Sequence, residues 1–331
     1  MKKFICAALS ALFALSLAAC GGAPAASNND EGSGVLTVGF AQVGAESGWR
    51  TANTDSFQKY FVSGNGFDLK FSDAQQNQDN QIKAVRDFIT QEVDYIVIAP
   101  VTVTGWEPVL TEAKNAGIPV ILSDRKPDVS EDLYVTYFGG NMEQEGKDAV
   151  TWLEGYLKEN GKEGDSINIV HLQGTIGSDA QIGRTKALVD ATNSTHPEWT
   201  IVYQQSGEFT QAKGQEIMES VLKDSSIPSI DVIYSENDDM TYGAVDALTA
   251  AGQNPADKII ISFDGNKKAI QMIIDGTIDC VAECNPLLGP QIGDMIKKLE
   301  AGQTVPKVTY SVEGVYDVKN AEAHLPDAFG S

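Results

Sequence analysis

Residues 95–125 read YIVIAPVTVTGWEPVLTEAKNAGIPVILSDR, and this stretch decides the fold class. It opens with the apolar run YIVIAP and closes with the apolar run PVILSD, and these runs alternate with amphipathic segments. Short, nearly continuous apolar runs are typical of strands that a parallel sheet buries on both faces. The neighbouring residues 78–92 carry Ile82, Val85 and Ile89 on one face of a predicted helix. The stretch therefore predicts a parallel sheet covered by helices.

The same alternation extends through the rest of the chain and then starts a second time. The predicted strands lie at residues 35–43, 67–73, 95–99, 119–123 and 133–140, and then at 166–173, 199–205, 230–235, 258–263 and 277–282. Strands that alternate with helices in this way predict an α/β protein with two doubly wound lobes. Turn-rich segments at residues 139–141 and 284–286 are the predicted places where the chain crosses between the lobes, which implies a hinge.

The N-terminus has the features of an export signal. Lys2 and Lys3 precede a short apolar stretch, and residues 1–19 are expected to be removed. The sequence LAACG at residues 17–21 resembles a bacterial lipobox, in which Cys20 carries the lipid; an ordinary cleavage site with an incidental Cys20 is the alternative. Residues 20–34 are rich in small and polar residues and are expected to form a flexible tether.

The chain is strongly acidic, with 24 basic and 46 acidic residues and a net charge of −22. Removing the two signal lysines leaves 22 basic residues against 46 acidic ones, a net charge of −24. Such a charge repels nucleic acid and anionic lipid. Past the signal, the sequence has no apolar stretch of about eighteen residues that would cross a bilayer. The lipid is therefore the only expected attachment to a membrane.

Polar and aromatic residues follow several of the predicted strands. Ligands of open α/β sheets bind at the carboxyl ends of the strands, so these residues are the candidate site. Guanidinium and carboxylate groups hydrogen-bond sugar hydroxyls, and an aromatic ring stacks on the sugar's C–H face. The candidates are Trp49, Arg50, Asp124, Arg125, Arg184, Asn237 and Asp264.

Each candidate also has a purely structural interpretation. Trp49 is compatible with an ordinary core position, and Asp124 with Arg125 is compatible with a surface salt bridge. Asn237 and Asp264 are both compatible with helix N-caps. Only their common position after strands favours a binding site.

The sequence gives little support for an enzyme or a cofactor. The first strand is followed by Gly44-x-x-x-Gly48 rather than G-x-G-x-x-G, and no Walker motif is present. The three histidines, at 171, 196 and 324, form no metal-binding pattern. A glycosidase remains an alternative, because Asp124, Asp264 and Glu283 are carboxylates that one cleft would be able to hold.

Cys280 and Cys284 have two open interpretations. On one strand they would lie about 13 Å apart, which is too far for a disulfide unless a turn or bulge intervenes. Without further Cys or His residues nearby, a metal site is weakly supported, and buried free thiols are the main alternative.

At this level of detail the chain resembles the ribose-binding-like class of substrate-binding proteins, and within it the galactofuranose-binding proteins of bacterial ABC importers. The resemblance runs from end to end. It is carried by VGFAQVGAESGWR (38–50), QNQDNQIKAVRDF (76–88), IAPVTVTGWEPVLTEAKNAGIPVILSDR (98–125), LQGTIGSDAQIGR (172–184), SGEFTQAKGQEIMES (206–220), ENDDMTYGA and SFDG.

The resemblance implies a type I periplasmic binding protein fold, with two Rossmann-like lobes joined by three crossings. The N-terminal lobe would comprise residues 35–139 plus 285–314, and the C-terminal lobe residues 140–284 plus 315–331. Position by position, it implies ligand contacts at Trp49, Arg50, Asp124, Arg125, Arg184, Asn237, Asp264, Glu283, Glu46 and Asp73. The paired cysteines around Glu283 depart from the family pattern.

The resemblance also implies a function without chemistry. A monomer outside the cytoplasm, at a Gram-positive surface or in a periplasm, would close around one monosaccharide. It would then dock on the permease and ATPase subunits of the importer. A furanose, galactofuranose first, is expected; fructose, arabinose or ribose, and a sensor that docks on a membrane receptor, are the alternatives.

Overall fold

Two six-stranded sheets form the protein in the computed structural model, which describes residues 34–330. The strands are β1 (Leu36–Gln42), β2 (Phe67–Asp73), β3 (Tyr95–Ile98), β4 (Val120–Ser123), β5 (Thr136–Gly139), β6 (Ile167–Gln173), β7 (Trp199–Ser206), β8 (Val232–Ser235), β9 (Ile259–Asp264), β10 (Cys280–Glu283), β11 (Val308–Tyr310) and β12 (Val315–Asp317). The strand orders are β11-β5-β4-β3-β1-β2 and β12-β10-β9-β8-β6-β7. All neighbouring strands are parallel except β10 and β12. The predicted α/β class with two doubly wound lobes is confirmed.

Helices cover both faces of each sheet, and this explains the apolar runs. Every residue of β3, β4, β8 and β9 is buried. The helices are α1 (Gly48–Tyr60), α2 (Gln78–Thr90), α3 (Glu107–Asn115), α4 (Met142–Glu159), α5 (Asp179–Asp190), α6 (Gln211–Lys223), α7 (Asp238–Ala250), α8 (Lys267–Ile274), α9 (Gly289–Glu300) and α10 (Ala321–His324). In each sheet the strand order reverses beside the first strand, β1 or β6, which is where ligands of such sheets bind.

The chain passes three times between the sheets. It leaves the first sheet after β5, returns after β10 to form α9 against α1, and leaves again in the loop between β11 and β12. This loop, residues 311–314, is the third crossing that the family resemblance implied. β11 and β12 are absent from the predicted strands, because each has only three residues and none of them is fully buried.

The two lobes meet in a closed arrangement. The backbone N–H of Gly48, in the first lobe, donates to Asp239 of the second lobe at 3.0 Å. On another part of the interface the N–H of Lys126 donates to Asp179 at 2.9 Å. The lobes are therefore joined by direct hydrogen bonds as well as by the three crossings.

None of the helices within residues 34–330 has the length and apolarity needed to cross a membrane. The predicted signal peptide, the lipid site at Cys20 and the tether up to residue 33 lie outside the described residues, as does Ser331.

Candidate functional site

A cavity lies between the lobes at the carboxyl ends of the strands, with about 300 Å³ of space not occupied by atoms. It brings together eight of the ten predicted contact residues: Glu46, Trp49, Arg50, Asp124, Arg125, Arg184, Asn237 and Asp264. Its remaining lining residues are Ser47, Met142, Ala180, Phe209 and Cys284.

Arg50 organises the side of the cavity that belongs to the first lobe. Ser47 caps α1 by accepting the Arg50 N–H, which places Arg50 in the first turn of the helix that follows β1. Its guanidinium is 3.0 Å from Glu46 Oε1 and 2.8 Å from Asp124 Oδ2. Burial alone lowers the pKa of Arg50, but the charges of Asp124 and Glu46 outweigh it and raise the pKa. Arg50 is therefore a fixed cation with its donors held in place.

Asp124 and Arg125 complete this side in an unusual backbone conformation. Asp124 directly follows β4 and has φ +64°, a left-handed conformation that Asp tolerates better than most residues. Asp124 and Arg125 are only 3% and 4% exposed, so they do not form the surface salt bridge considered above. Burial, together with the neighbouring charge of Arg50, lowers the pKa of Arg125. Two guanidinium groups thus share the single carboxylate of Asp124.

Arg184 has the corresponding position in the second lobe. Its guanidinium lies 2.8 Å from Glu145 Oε2 and 3.4 Å from Asp264 Oδ1, and it also donates to the Glu236 carbonyl. Burial lowers its pKa, while Glu145 and Asp264 raise it more strongly, to well above the ordinary value. Glu145 was not among the predicted residues, although it holds Arg184 in place.

Of the two residues that the sequence also allowed as helix N-caps, Asn237 caps a helix and Asp264 does not. Asn237 is the N-cap of α7: its Oδ1 accepts the Met240 N–H at 2.9 Å, while its Nδ2 donates to the Phe209 carbonyl. Asp264 caps no helix, because α8 begins after Asn266. Burial raises the pKa of Asp264 well above the ordinary value, although the charge of Arg184 opposes the rise.

Two aromatic rings form walls of the cavity, one from each lobe. Trp49 is 5% exposed, packs in a hydrophobic cluster and donates from Nε1 to the Cys284 carbonyl at 2.7 Å, so it is a core residue as well as a lining residue. Phe209 was missed by the sequence analysis. It follows β7 with φ +63°, and its position just after a strand was the available signal.

Several buried polar atoms at the cavity have no hydrogen-bond partner among the described residues. They include Glu46 Oε2, an acceptor, and Arg125 Nε, a donor. Buried polar atoms are normally paired, because an unpaired one costs about 1–3 kcal/mol. These atoms indicate a ligand that both donates and accepts hydrogen bonds.

Two predicted contacts lie outside the cavity. Asp73 is exposed at the end of β2, where its Oδ1 accepts the Gln75 N–H. Glu283 accepts hydrogen bonds from the Gly314 N–H at 2.9 Å and from Tyr316 Oη at 2.8 Å, so its carboxylate is used at the third crossing. The three-carboxylate arrangement considered for a glycosidase is therefore not assembled.

The two cysteines are not bridged. Cys280 and Cys284 are both free thiols and both buried. Burial raises the pKa of each thiol well above its usual value, so both remain protonated.

Gly174→Ala tests whether the position of Phe209 matters for binding. A Cβ at position 174 would lie 1.9 Å from Phe209 Cζ, so the ring would have to leave its place in the cavity wall. Overpacking of this kind costs about 1–3 kcal/mol, and we expect ligand affinity to fall together with the free energy of unfolding. Denaturant unfolding and calorimetric titration measure both.

Gly155→Ala is the matched control, because this exposed glycine of α4 has no atom within 4 Å of a built Cβ. It should be neutral or stabilising. Wild-type affinity in Gly174→Ala would mean that the Phe209 ring does not contribute to ligand binding.

Comparisons with known proteins agree with this geometry. Residues 38–304 match the family model described as "Periplasmic binding protein domain". The galactofuranose-binding protein YtfQ of Escherichia coli (strain K12) is 42% identical over 295 residues, which cover 88% of this chain and 90% of that protein. A Mycobacterium smegmatis crystal structure in complex with β-D-fucofuranose is 43% identical, with a TM-score of 0.82 and coverage of 88% and 95%. The binding protein of the arabinose ABC transporter from Shewanella sp. ANA-3, bound to α- and β-L-arabinofuranose, is 40% identical, with a TM-score of 0.81 and the same coverage. The chain therefore belongs to the periplasmic binding protein family and is a solute-binding protein rather than an enzyme, as its sequence predicted.

Proposed function

We propose that this protein captures one monosaccharide in its furanose form, galactofuranose first, and delivers it to an ABC importer. The observation that carries the proposal is the cavity itself. Its two sides present guanidinium and carboxylate groups next to two aromatic rings, and some of their polar atoms await a partner. The hydroxyls of a sugar hydrogen-bond guanidinium and carboxylate groups, and its C–H faces pack against aromatic rings.

The relatives narrow the sugar class. YtfQ is named for galactofuranose, and the two solved relatives hold fucofuranose and arabinofuranose. We propose that Glu46, Trp49, Arg50, Asp124 and Arg125 bind it from the first lobe. Arg184, Asn237, Asp264 and Phe209 would bind it from the second.

Binding requires the lobes to move apart and close again. Arg50, Arg125 and Arg184 are only 2–4% exposed, so a sugar has no open route to them in the closed arrangement. A ligand that bridges both lobes binds the closed form better than the open one and shifts the population towards it. The hydrogen bonds Gly48–Asp239 and Lys126–Asp179 would form in the same step.

We also propose where the protein works. Cys20 would carry a lipid that holds a monomer at the outer side of the cell membrane, and residues 20–34 would tether it. The closed, loaded form would then dock on permease subunits driven by an ATPase. The mass of the N-terminal peptide of the mature protein tests whether Cys20 carries a lipid. An unmodified peptide that begins at another residue would contradict the lipid anchor.

Calorimetric titration tests which sugar the protein binds and in which ring form. We expect heat from D-galactose and L-arabinose, and none from methyl α-D-galactopyranoside, which is locked in the six-membered ring. Only a small fraction of free galactose is in the furanose form. The apparent Kd of galactose should therefore be about the Kd of a furanose-locked galactoside divided by that fraction. D-Fructose and D-ribose are the competitors to compare. Absence of heat with every pentose and hexose would contradict a sugar-binding function.

A further inference from the structure

Three titratable side chains meet where the three crossings come together. Glu145 lies in α4 just after the first crossing, Cys284 in the second and Glu313 in the third. One carboxylate oxygen of Glu145, one of Glu313 and the Cys284 Sγ lie within 4.8 Å of one another. Glu145 also holds Arg184, which lines the sugar cavity. The cluster thus connects the hinge to the site.

Glu145 has an unused oxygen that faces this cluster. The residue is 4% exposed, and Oε2 binds Arg184, but Oε1 has no hydrogen-bond partner among residues 34–330. A Cβ built on Gly140 would lie 2.4 Å from this Oε1 and 3.2 Å from both carboxyl oxygens of Glu313. The two carboxyl groups therefore face the same side of Gly140.

Glu313 uses only one of its oxygens in hydrogen bonds to the described part of the chain. Oε1 accepts the Asn285 N–H at 3.0 Å and the Ser311 hydroxyl at 2.7 Å. Oε2 accepts no hydrogen bond from residues 34–330 and lies 3.2 Å from the Cβ built on Gly140, as Oε1 does. Two carboxyl groups this close, away from bulk water, do not both ionise readily.

We propose that Glu145 and Glu313 share one proton at the hinge, and that this bridge positions Arg184 and fixes the third crossing against α4. Glu313 carries the proton and donates it to Glu145 Oε1, while Glu145 remains the anion paired with Arg184. The proton bridge stands independently of the ligand; only its effect on Arg184 rests on the proposed sugar-binding function.

The charged surroundings favour this assignment of the proton. Burial and the charge of Glu145 raise the pKa of Glu313 to about 8, although Arg184 opposes the rise. Burial raises the pKa of Glu145 as well, but the charge and hydrogen bond of Arg184 and a hydrogen bond from the Cys284 thiol oppose that rise. Other titratable groups near the pair include Asp124, Asp264, Tyr137, Tyr234, Tyr316 and the protonated thiol of Cys284.

The sign of the pH dependence follows from the raised pKa. Glu313 binds its proton more tightly in the closed, folded protein than in the unfolded chain. Its contribution is fully present below the ordinary Glu pKa and is lost as the pH rises through about 8. The bridge should therefore weaken between pH 7 and 9.

Glu313→Gln tests the bridge because an amide keeps a donor at every pH. Denaturant unfolding of the ligand-free protein is measured from pH 6 to 9.5. Relative to Glu313→Gln, the unfolding equilibrium constant of the wild type should rise by about tenfold or more between pH 7 and 9. Glu219→Gln, at a surface residue of α6 that binds Gln215 and Lys223, is the control and should follow the wild type.

Sugar affinity over the same pH range tests the effect on Arg184. The wild type should lose several-fold more affinity than Glu313→Gln between pH 7 and 9. If unfolding differs as expected but no sugar binds, the proton bridge stands and the proposed function fails. If the wild type and Glu313→Gln change in parallel with pH, the bridge is overturned whatever the ligand.

Two further measurements cover the remaining outcomes. If Glu313→Gln does not fold, the carboxyl ¹³C resonance of Glu313 in the wild type decides: titration near pH 8 supports the bridge, and titration near the ordinary Glu pKa overturns it. Stabilisation by added Zn²⁺ that is reversed by a chelator and absent in Cys284→Ser would also overturn it, because the cluster would then be a metal site.

Discussion

Arg184→Ala is expected to weaken sugar binding by about 100-fold or more and to lower the free energy of unfolding by about 3–5 kcal/mol. Arg184 is buried and is the cationic partner of both Glu145 and Asp264. Truncation removes the donors that we propose for the sugar. It also leaves two buried carboxyl groups without a counterion, and this second effect lowers the stability of the ligand-free protein.

Arg184→Lys separates the two effects. The ammonium keeps the positive charge between Glu145 and Asp264, but it does not reproduce the planar fork of the guanidinium. We expect most of the stability to return while sugar affinity stays at least about tenfold below that of the wild type. Calorimetric titration and denaturant unfolding give the two numbers. Wild-type affinity in Arg184→Ala would remove this residue from the site.

Asp124→Ala should have the second-largest effect, on the other lobe. The carboxylate lies 2.8 Å from Arg50 and 3.7 Å from Arg125, and all three residues are less than 5% exposed. Without it, two guanidinium groups face each other in a buried space. We expect a loss of about 3–5 kcal/mol in unfolding free energy, with sugar binding reduced below detection.

Asp124→Asn is the matched variant, because Asn also tolerates the left-handed backbone at this position. It keeps the shape and one acceptor oxygen but removes the charge. It should therefore be more stable than Asp124→Ala, yet bind sugar much more weakly than the wild type. If Asp124→Asn binds as the wild type does, the charge of Asp124 has no part in recognition, and only its shape matters.

The fold was predictable because a strand that is buried on both faces has a nearly continuous apolar sequence. Residues 95–98 and 120–123 are buried at every position, and their apolar runs were recognised as strands. β11 and β12 have no such run, since they are short edge strands with partly exposed residues. Their pairing depends on long-range contacts with β5 and β10, which no local pattern encodes.

The cavity lining was predictable where side chains lie at the end of a strand or shortly after it. Arg50, Asp124 and Asp264 follow or end β1, β4 and β9, so the parallel topology brings them to one cavity. Glu283 also ends a strand, but the third crossing lies beside it and takes up its carboxylate. Phe209 was missed because its position depends on the left-handed turn at residues 208 and 209. That conformation favours Gly, Asn or Asp, so the Glu and Phe found there do not signal it.

The three crossings also bear on how the chain folds as it is synthesised. Five strands of the first sheet are complete by residue 139, but α9 and the sixth strand come from residues 289–310. Until α9 forms, the face of α1 that packs against it, which includes Phe57, is not covered. The hydrogen bond from the Gly289 N–H to the Ser56 hydroxyl also forms only with α9. The second sheet is likewise incomplete until β12, at residues 315–317, has been synthesised. Both lobes are completed only by residues near the C-terminal end, since β11 ends at Tyr310 and β12 at Asp317. A nascent chain is therefore expected to acquire its native structure late, in both lobes together, rather than lobe by lobe from the N-terminus.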